Sequence, residues 1–238
     1  MKIDALILAG GIGSRMGGST PKQFLEIGGV PIIVRTILNF ERNNRISEIA
    51  VVCVAGYENV LKNLVEKFGL KKVKHIFTGG STGHDSVRNG LYGLKDILSD
   101  GDYIIVHDAV RPILPQLILD EMIDTALKKG NACLAVPCYE TVICTSDGLC
   151  GNKEIDRNSF VRVQTPQMYS YKALLKLYER ADCENRHDFV YANTLAVYYG
   201  MTIFFSKGFN YNFKITTPDD LPLYSALLNF SDEELSRR

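Results

Sequence analysis

Residues 6–22, LILAGGIGSRMGGSTPK, decide how this chain reads. The apolar run Ala5–Ala9 has the length and composition of a short buried strand, and it stops at Gly10-Gly11, where the sequence turns glycine-rich and then basic. Gly10, Gly11, Gly13 and Gly17 fall close together, and such a loop presents backbone N–H groups with no side chains in the way. Arg15 and Lys22 flank those donors with two permanent cations, a combination suited to a polyphosphate, and a nucleotide is the first expectation. The same glycines also read as a plain turn between a strand and a helix. No Gly-x-x-x-x-Gly-Lys-Ser/Thr spacing occurs. Gly11-x-Gly13 lacks the third glycine of the dinucleotide fingerprint, which argues against a plain Rossmann dehydrogenase.

Downstream of the loop, strand and helix patterns alternate. Helical spacing covers Pro31–Phe40, Glu58–Phe68, Ser86–Leu94 and Leu117–Lys129; strand patterns cover Ile46–Val54, Val73–Phe77, Tyr103–Val106 and Ala132–Pro137. That order predicts an α/β protein, a Rossmann-like, mostly parallel sheet flanked by helices with right-handed crossovers. Ligands of such sheets sit at the carboxyl ends of the strands, so the Gly-rich loop, Gly79-Gly80 and His107-Asp108 are expected on one edge. From Tyr139 to Phe160 the pattern changes to alternation on either side of Ser146-Asp147-Gly148, which predicts a protruding β-hairpin arm suited to embracing a second subunit. Helical patterns over Tyr171–Ala181 and His187–Tyr199 follow. Then come strands over Thr202–Phe205 and around Tyr211–Thr216, a helix over Pro218–Asn229 and a polar tail expected to fray. With no repeat and no low-complexity linker, residues 1–238 read as one domain with residues 139–160 as its arm.

Composition sets outer bounds. The 238 residues are 46% hydrophobic and 23% charged, with Lys+Arg and Asp+Glu equal at 27 each, so nothing advertises nucleic acid or an anionic membrane and any anion site must be local. The N-terminal apolar run is too short for a signal segment or a membrane span, which predicts a cytoplasmic protein. Six cysteines form no C-x-x-C pair, and several lie in apolar contexts, the pattern of reduced, mostly structural thiols.

Four places carry candidate chemistry. Asp108, at the end of the YIIV strand and opposite the glycine loop, stands where a divalent metal bridging phosphates would be held; taken alone it reads more readily as the cap of a helix beginning near Leu114. Arg111 beside it favours the functional reading. Asp85-Ser86 reads as an N-cap. In the arm, Arg157 reads as a solvated charge. Lys214, inside an apolar stretch, calls for an anionic partner unless it faces an edge.

LAGGxGxRM followed by Pro21-Lys22 resembles the signature loop of sugar-phosphate nucleotidyltransferases. The ordered set of that loop, PKQFL, HDAVRP, Asp156-Arg157, Gln164-Thr165-Pro166-Gln167 and Lys214-Ile215-Thr216-Thr217-Pro218 through Leu221 resembles the cytidylyltransferase family of 2-C-methyl-D-erythritol 4-phosphate cytidylyltransferase and ribitol-5-phosphate cytidylyltransferase across essentially the whole chain. LAGGxGSRMG and HDAVRP lean to the ribitol wording. The resemblance implies transfer of CMP from CTP to a polyol phosphate with release of pyrophosphate. It implies Mg²⁺ on Asp108 and Arg15, Lys22 and Lys214 as catalytic cations. Leu8, Ala9, Gly10, Gly11, Gly13, Gly80 and Ser86 would hold the nucleotide. Arg111, Thr141 and a neighbouring subunit's Arg157 would hold the polyol phosphate, which implies a homodimer through the arm, and QTPQ would shape the wall behind the acceptor. Two positions depart from the family pattern. Gly83 stands where an Arg is usual, with His84 or Arg88 as substitutes, and Val190-Tyr191 replaces a Thr-Asp pair, with Asp188 as a shifted replacement. These departures leave a catalytically weak nucleotide-binding homologue as an alternative, beside a transferase using UTP or GTP.

Overall fold

The apolar run becomes β1 (Ile3–Ala9), an inner strand of a seven-stranded sheet in a computed structural model that describes residues 1–11 and 20–236. Its side chains alternate between faces, Ala5, Ile7 and Ala9 entering one apolar cluster and Leu6 the other. A two-residue ladder, β2 (Glu26–Ile27) with β3 (Val30–Pro31), leads into α1 (Ile32–Glu41), whose Ile33, Val34, Ile37 and Phe40 are fully buried. β4 (Ile49–Cys53) pairs parallel with β1, and β5 (Val73–Thr78) pairs parallel with β4. The chain then returns to the other side of β1, where β6 (Tyr103–Asp108) pairs with it, again parallel. Winding therefore reverses at β1, and the crevice beyond its carboxyl end is where open α/β sheets bind ligands.

Both faces of the sheet are covered. α1, α2 (Glu58–Lys67) and α4 (Gln116–Lys129) bury Phe40, Leu61 and Met122 in the first cluster. α3 (Gly83–Gly93), α5 (Tyr171–Cys183) and α6 (Ala192–Tyr198) bury Leu91, Tyr178 and Leu195 in the second. β7 (Asn131–Pro137) is followed by the arm, in which β8 (Val142–Cys144) and β9 (Lys153–Ile155) form a separate antiparallel ladder. The predicted hairpin is therefore present, and Asp147 ties its turn by accepting the N–H groups of Leu149 and Cys150.

Several elements differ from their predicted form. β10 (Val161–Ser170), which the sequence pattern left unassigned, runs antiparallel between β6 and β7. Pro166 within the run argues against a central strand, but the register shifts between Gln164 and Gln167 and the ladder resumes on either side of the bulge. β11 (Phe205–Lys207) is short and parallel to β7, whereas Tyr211–Thr216 lies outside the sheet. The helix expected over His187–Tyr199 is confined to α6; residues 186–191 are non-helical, and Asn185, at φ 52°, closes α5 in the left-handed region. The tail does not fray through Leu235. α7 (Asp220–Leu227) and α8 (Asp232–Ser236) carry Tyr224, Leu227 and Leu235 into a third cluster with Ile32, Val110, Ile113 and Ile215. Of the cysteines, Cys53 and Cys133 are buried, with burial pushing both thiols up to about 12, but Cys144, Cys150 and Cys183 are exposed, so most of the six are not core residues. No helix among the described residues is long and apolar enough to cross a membrane.

Asp4 is the polar exception inside β1. It is 1% exposed; Oδ1 accepts the Glu48 N–H at 3.1 Å and Oδ2 has no partner. Burial pushes its pKa from 3.8 up to about 6. A carboxyl with a raised folded-state pKa keeps its proton where the unfolded chain has lost it, so its contribution is present below pH 4 and is lost as pH rises through 6. Urea denaturation of Asp4→Asn is expected to show a flatter stability profile than the parent chain between those pH values, the two diverging by up to roughly 2 kcal/mol; parallel profiles would contradict this.

Candidate active site

Three strand ends build the floor of the site. Ladder bonds continue past them, Val54 N–H to Ala9 O at 3.0 Å, Gly79 N–H to Cys53 O at 2.7 Å and Ala109 N–H to Leu8 O at 3.0 Å, so the turns after β1, β5 and β6 stay side by side. The first two turns touch backbone to backbone. A Cβ on Gly79 would stand 2.9 Å from Gly10 Cα, and one on Gly10 would stand 2.7 Å from Ser86 Oγ, which is why both positions are glycine. Gln23 holds the glycine loop from beneath, its Nε2 donating to Ala9 O at 2.7 Å and Gly11 O at 2.9 Å. α3 starts at the rim. Its cap is Thr82, not Asp85-Ser86: Thr82 and Asp85 exchange hydrogen bonds in a capping box, and Ser86 Oγ donates to Thr82 O while accepting the Gly80 N–H. A helix N-terminus aimed at a glycine-lined hollow favours an anion.

Asp108 closes the opposite wall. Its side chain is 8% exposed; Oδ2 accepts Arg111 Nε at 3.0 Å and Oδ1 accepts Lys214 Nζ at 3.1 Å. Burial alone would raise its pKa, but Lys214 and Arg111 outweigh burial and hold the carboxyl at about 2. Neighbouring His107 is pushed down to about 4 by burial and stays neutral, its Nε2 3.0 Å from Arg111 O.

Lys214 sits in a non-sheet segment fastened at several points. Ile215 N–H donates to Val110 O, Arg111 Nη1 to Asn212 O, and the Asp220 carboxylate accepts the N–H groups of Thr216 and Thr217. The bulge of β10 braces both sides of this contact: Thr165 Oγ1 accepts the Asp108 N–H at 3.1 Å, and Asn212 Nδ2 donates to Thr165 O at 2.8 Å. QTPQ thus backs Asp108 and the Lys214 segment. Lys22 donates to Ile215 O at 2.8 Å, joining the glycine loop's far flank to the same segment.

Leu8, Ala9, Gly10, Gly11, Lys22, Gly80, Ser86, Asp108 and Lys214 all line one cleft of about 690 Å³. Gly13 and Arg15 lie outside the described residues. Arg111 stands behind Asp108 and does not line the cleft. Thr141 and Arg157 are exposed and share a separate hollow of about 260 Å³ on the arm with Glu154, Asp156 and Asn158. Gly83 lines the cleft, whereas His84 and Arg88, the two residues expected to stand in for an Arg there, do not: His84 turns inward onto Tyr178, and Arg88 pairs with Asp85 and Asp182. Asp188 pairs with Arg186 and is not among the residues lining the cleft, while Tyr191 lines it with Lys214 Nζ 5.5 Å from its ring centre. Gln23 and Asn212 were not singled out in the sequence; Gln23 was visible only as part of PKQFL.

A reversed parallel sheet whose carboxyl edge joins a glycine cradle, a helix N-terminus and two lysines around a clamped carboxylate defines a nucleotide-handling enzyme of the nucleotidyltransferase class. The chain belongs to the 2-C-methyl-D-erythritol 4-phosphate cytidylyltransferase family, whose model matches residues 3–229. It is 38% identical to a ribitol-5-phosphate cytidylyltransferase of Lacticaseibacillus paracasei, over 95% of this chain and 97% of that protein. It is 32% identical to a 2-C-methyl-D-erythritol 4-phosphate cytidylyltransferase of Syntrophotalea carbinolica, over 96% of this chain and 97% of that one. A crystal structure of 4-diphosphocytidyl-2C-methyl-D-erythritol synthase superposes with a TM-score of 0.80 at 26% identity, covering 96% of this chain and 99% of that one.

Lys214→Met is expected to leave Asp108 with Arg111 alone and so to raise its pKa. In the parent chain the carboxylate's contribution is present above the unfolded-state pKa of about 3.9 and is lost as pH falls through 2. In the variant the loss sets in at higher pH, with about 1–2 kcal/mol of stability gone at pH 7, discounted for the 30% exposure of Lys214. Denaturation across pH checks this, and an unchanged acid limb would contradict it.

Proposed function

We propose that this chain transfers CMP from CTP to D-ribitol 5-phosphate, giving CDP-ribitol and pyrophosphate. One observation carries the nucleotide half: the glycine turns, the α3 N-terminus, Lys22 and Lys214 converge on one cleft of about 690 Å³, within the range of small-molecule sites. The ribitol half rests on the 38% identity to the Lacticaseibacillus paracasei protein. Methylerythritol phosphate is the second reading, favoured by the family model and by the superposed synthase.

In the proposed reaction an acceptor phosphate oxygen attacks the α-phosphorus of CTP, and the bond to the bridging oxygen of the departing pyrophosphate breaks. The nucleophile is already anionic, so the protein's contribution is positioning and charge neutralisation. The glycine-turn N–H groups cradle phosphate oxygens, Lys22 and Lys214 offset charge that grows on the departing group, and Asp108 holds Lys214 in place. Arg15 carries the same proposed role. Mg²⁺ fits the donor set: Asp108 is the one carboxylate among the described residues lining the cleft, and its oxygens keep lone pairs beyond those bound to Arg111 and Lys214. When bound with the triphosphate, the ion would supply further charge neutralisation.

The arm fits a two-fold homodimer. Ile143, Leu149 and Phe160 are more than half exposed on it, beside the Thr141 and Arg157 hollow. In the dimer Arg157 would clamp the acceptor's phosphate in the partner's cleft, and Arg111 would hold Asp108 and the Lys214 segment for it.

A pyrophosphate-release assay across four nucleoside triphosphates, with ribitol 5-phosphate and methylerythritol phosphate as acceptors, is expected to give fastest turnover with CTP and ribitol 5-phosphate. Lys22→Ala and Lys214→Ala should each lose on the order of 10²-fold or more in rate; near-normal turnover in either would sink the assignment. Sedimentation is expected to find a dimer that Leu149→Glu weakens, and Arg157→Ala should raise KM for the acceptor more than for CTP. A fully active monomer would contradict the arm's role.

A further inference from the structure

Behind the cleft wall, His84 in the first turn of α3, Asp182 near the end of α5 and His187 between α5 and α6 each place a ligand atom within 4.8 Å of the others. We propose that these three side chains bind a divalent transition metal of the zinc class, which clamps residues 184–191 to α3.

His84 makes the strongest demand for a ligand. It is 1% exposed, and neither ring nitrogen has a hydrogen-bond partner. A neutral imidazole carries one donor and one acceptor, and leaving such groups buried and unpaired forfeits their hydration with nothing in return. Burial lowers its pKa, which keeps the ring in the neutral form that ligates metals. Stacking on Tyr178, with ring centres 4.7 Å apart, fixes the ring plane without satisfying either nitrogen. His187 Nδ1 is also unpartnered, 3.7 Å from Asp182 Oδ1 and too far for a hydrogen bond.

The ligand set selects the ion. Two imidazoles and one carboxylate suit zinc, cobalt or nickel, whereas magnesium and calcium take oxygen donors. Zinc with ligands at about 2.0–2.1 Å holds them roughly 3.3 Å from one another, so no pair of the cluster need close by more than about 1.5 Å. His187, 37% exposed in an irregular segment, is free of helix geometry and can make that movement. Tyr92 Oη, donating to Asp182 Oδ2 at 2.5 Å, orients the carboxylate from behind. Arg88 lies 3.3 Å from Asp182 Oδ1, and Asp85, 3.5 Å from its Nη2, offers it another partner when the ion takes that oxygen.

The clamp reaches the cleft through the chain. The segment that holds His187 ends in Val190 and Tyr191, both in the cleft wall, and Val190 O lies 3.0 Å from the position of a Cβ on Gly83. An ion here fixes part of that wall without contacting anything bound in the cleft.

The test uses the full chain, metal-free, with exposed thiols blocked because Cys183 adjoins Asp182. Equilibrium dialysis with Zn²⁺, without nucleotide, is expected to give one ion per chain at micromolar affinity or tighter. Saturation should raise Tm by roughly 5 °C at a hundredfold excess over Kd. Asp182→Asn and His187→Ala should each weaken binding at least tenfold; His187 is half-exposed, so that variant should keep the metal-free Tm. Co²⁺ is expected to give ligand-field absorption without a thiolate charge-transfer band. Absence of stoichiometric binding, affinity unchanged in both variants, or a thiolate band would overturn the proposal.

Discussion

Asp108 held between Lys214 and Arg111 is the contact on which the site depends. A carboxylate buried at the end of a central strand would take up a proton or be excluded, and two cations within hydrogen-bond distance reverse that outcome, holding its pKa at about 2. Buried ion pairs of this kind add little net stability against their desolvation, but they dictate geometry. Here the dictated geometry joins β6 to a segment more than a hundred residues downstream. Arg111 fastens that segment again through Asn212 O, and Ile215 plants it in the apolar cluster under α7 and α8. Full burial of Ile215 contributes about 1.5–3 kcal/mol, more than an exposed ion pair would.

Much of this was legible from local pattern. β1, β4, β5 and β6 are apolar runs bounded by turn residues, and the glycines after β1 and β5 marked the edge where the cleft lies. The carboxylate, the two lysines and the glycines of the described cradle each had an ordinary structural reading as a cap, an edge charge or a turn, and it was the ordered resemblance to the cytidylyltransferases that singled them out together. β10 was not legible, because Pro166 and the polar Gln164, Thr165 and Gln167 contradict a central strand unless a bulge is already known. Residues 211–216 misled in the opposite way. Their apolar content packs against the loop after β6 and the C-terminal helices instead of entering the sheet, a tertiary choice that local period does not report.

Pairing across distance was the other hidden layer. Nothing in the spacing of Lys214 says that its partner is Asp108, that Gln23 supports the glycine loop's carbonyls, or that Thr165 braces Asp108 from β10. These contacts arise where the turns meet, as Gly10 and Gly79 do at van der Waals contact. The chain is formally neutral overall, so the cleft's positive character comes entirely from placement. Tyr191 adds to that placement: its ring lies 5.5 Å from Lys214 Nζ, and among the described residues lining the cleft Asp108 is the one carboxylate that offsets the lysine's charge.

A CTP site at the β1–β5–β6 edge, organised by the Asp108–Lys214 contact, is tested most directly by amide spectra of the full isotope-labelled chain titrated with CTP and Mg²⁺. Saturable shifts are expected at Gly10, Gly11, Gly80, Ser86, Asp108 and Lys214, with residues of β8 and β9 unmoved when CTP alone is added. Saturable binding that leaves those amides in place and shifts another surface would contradict it.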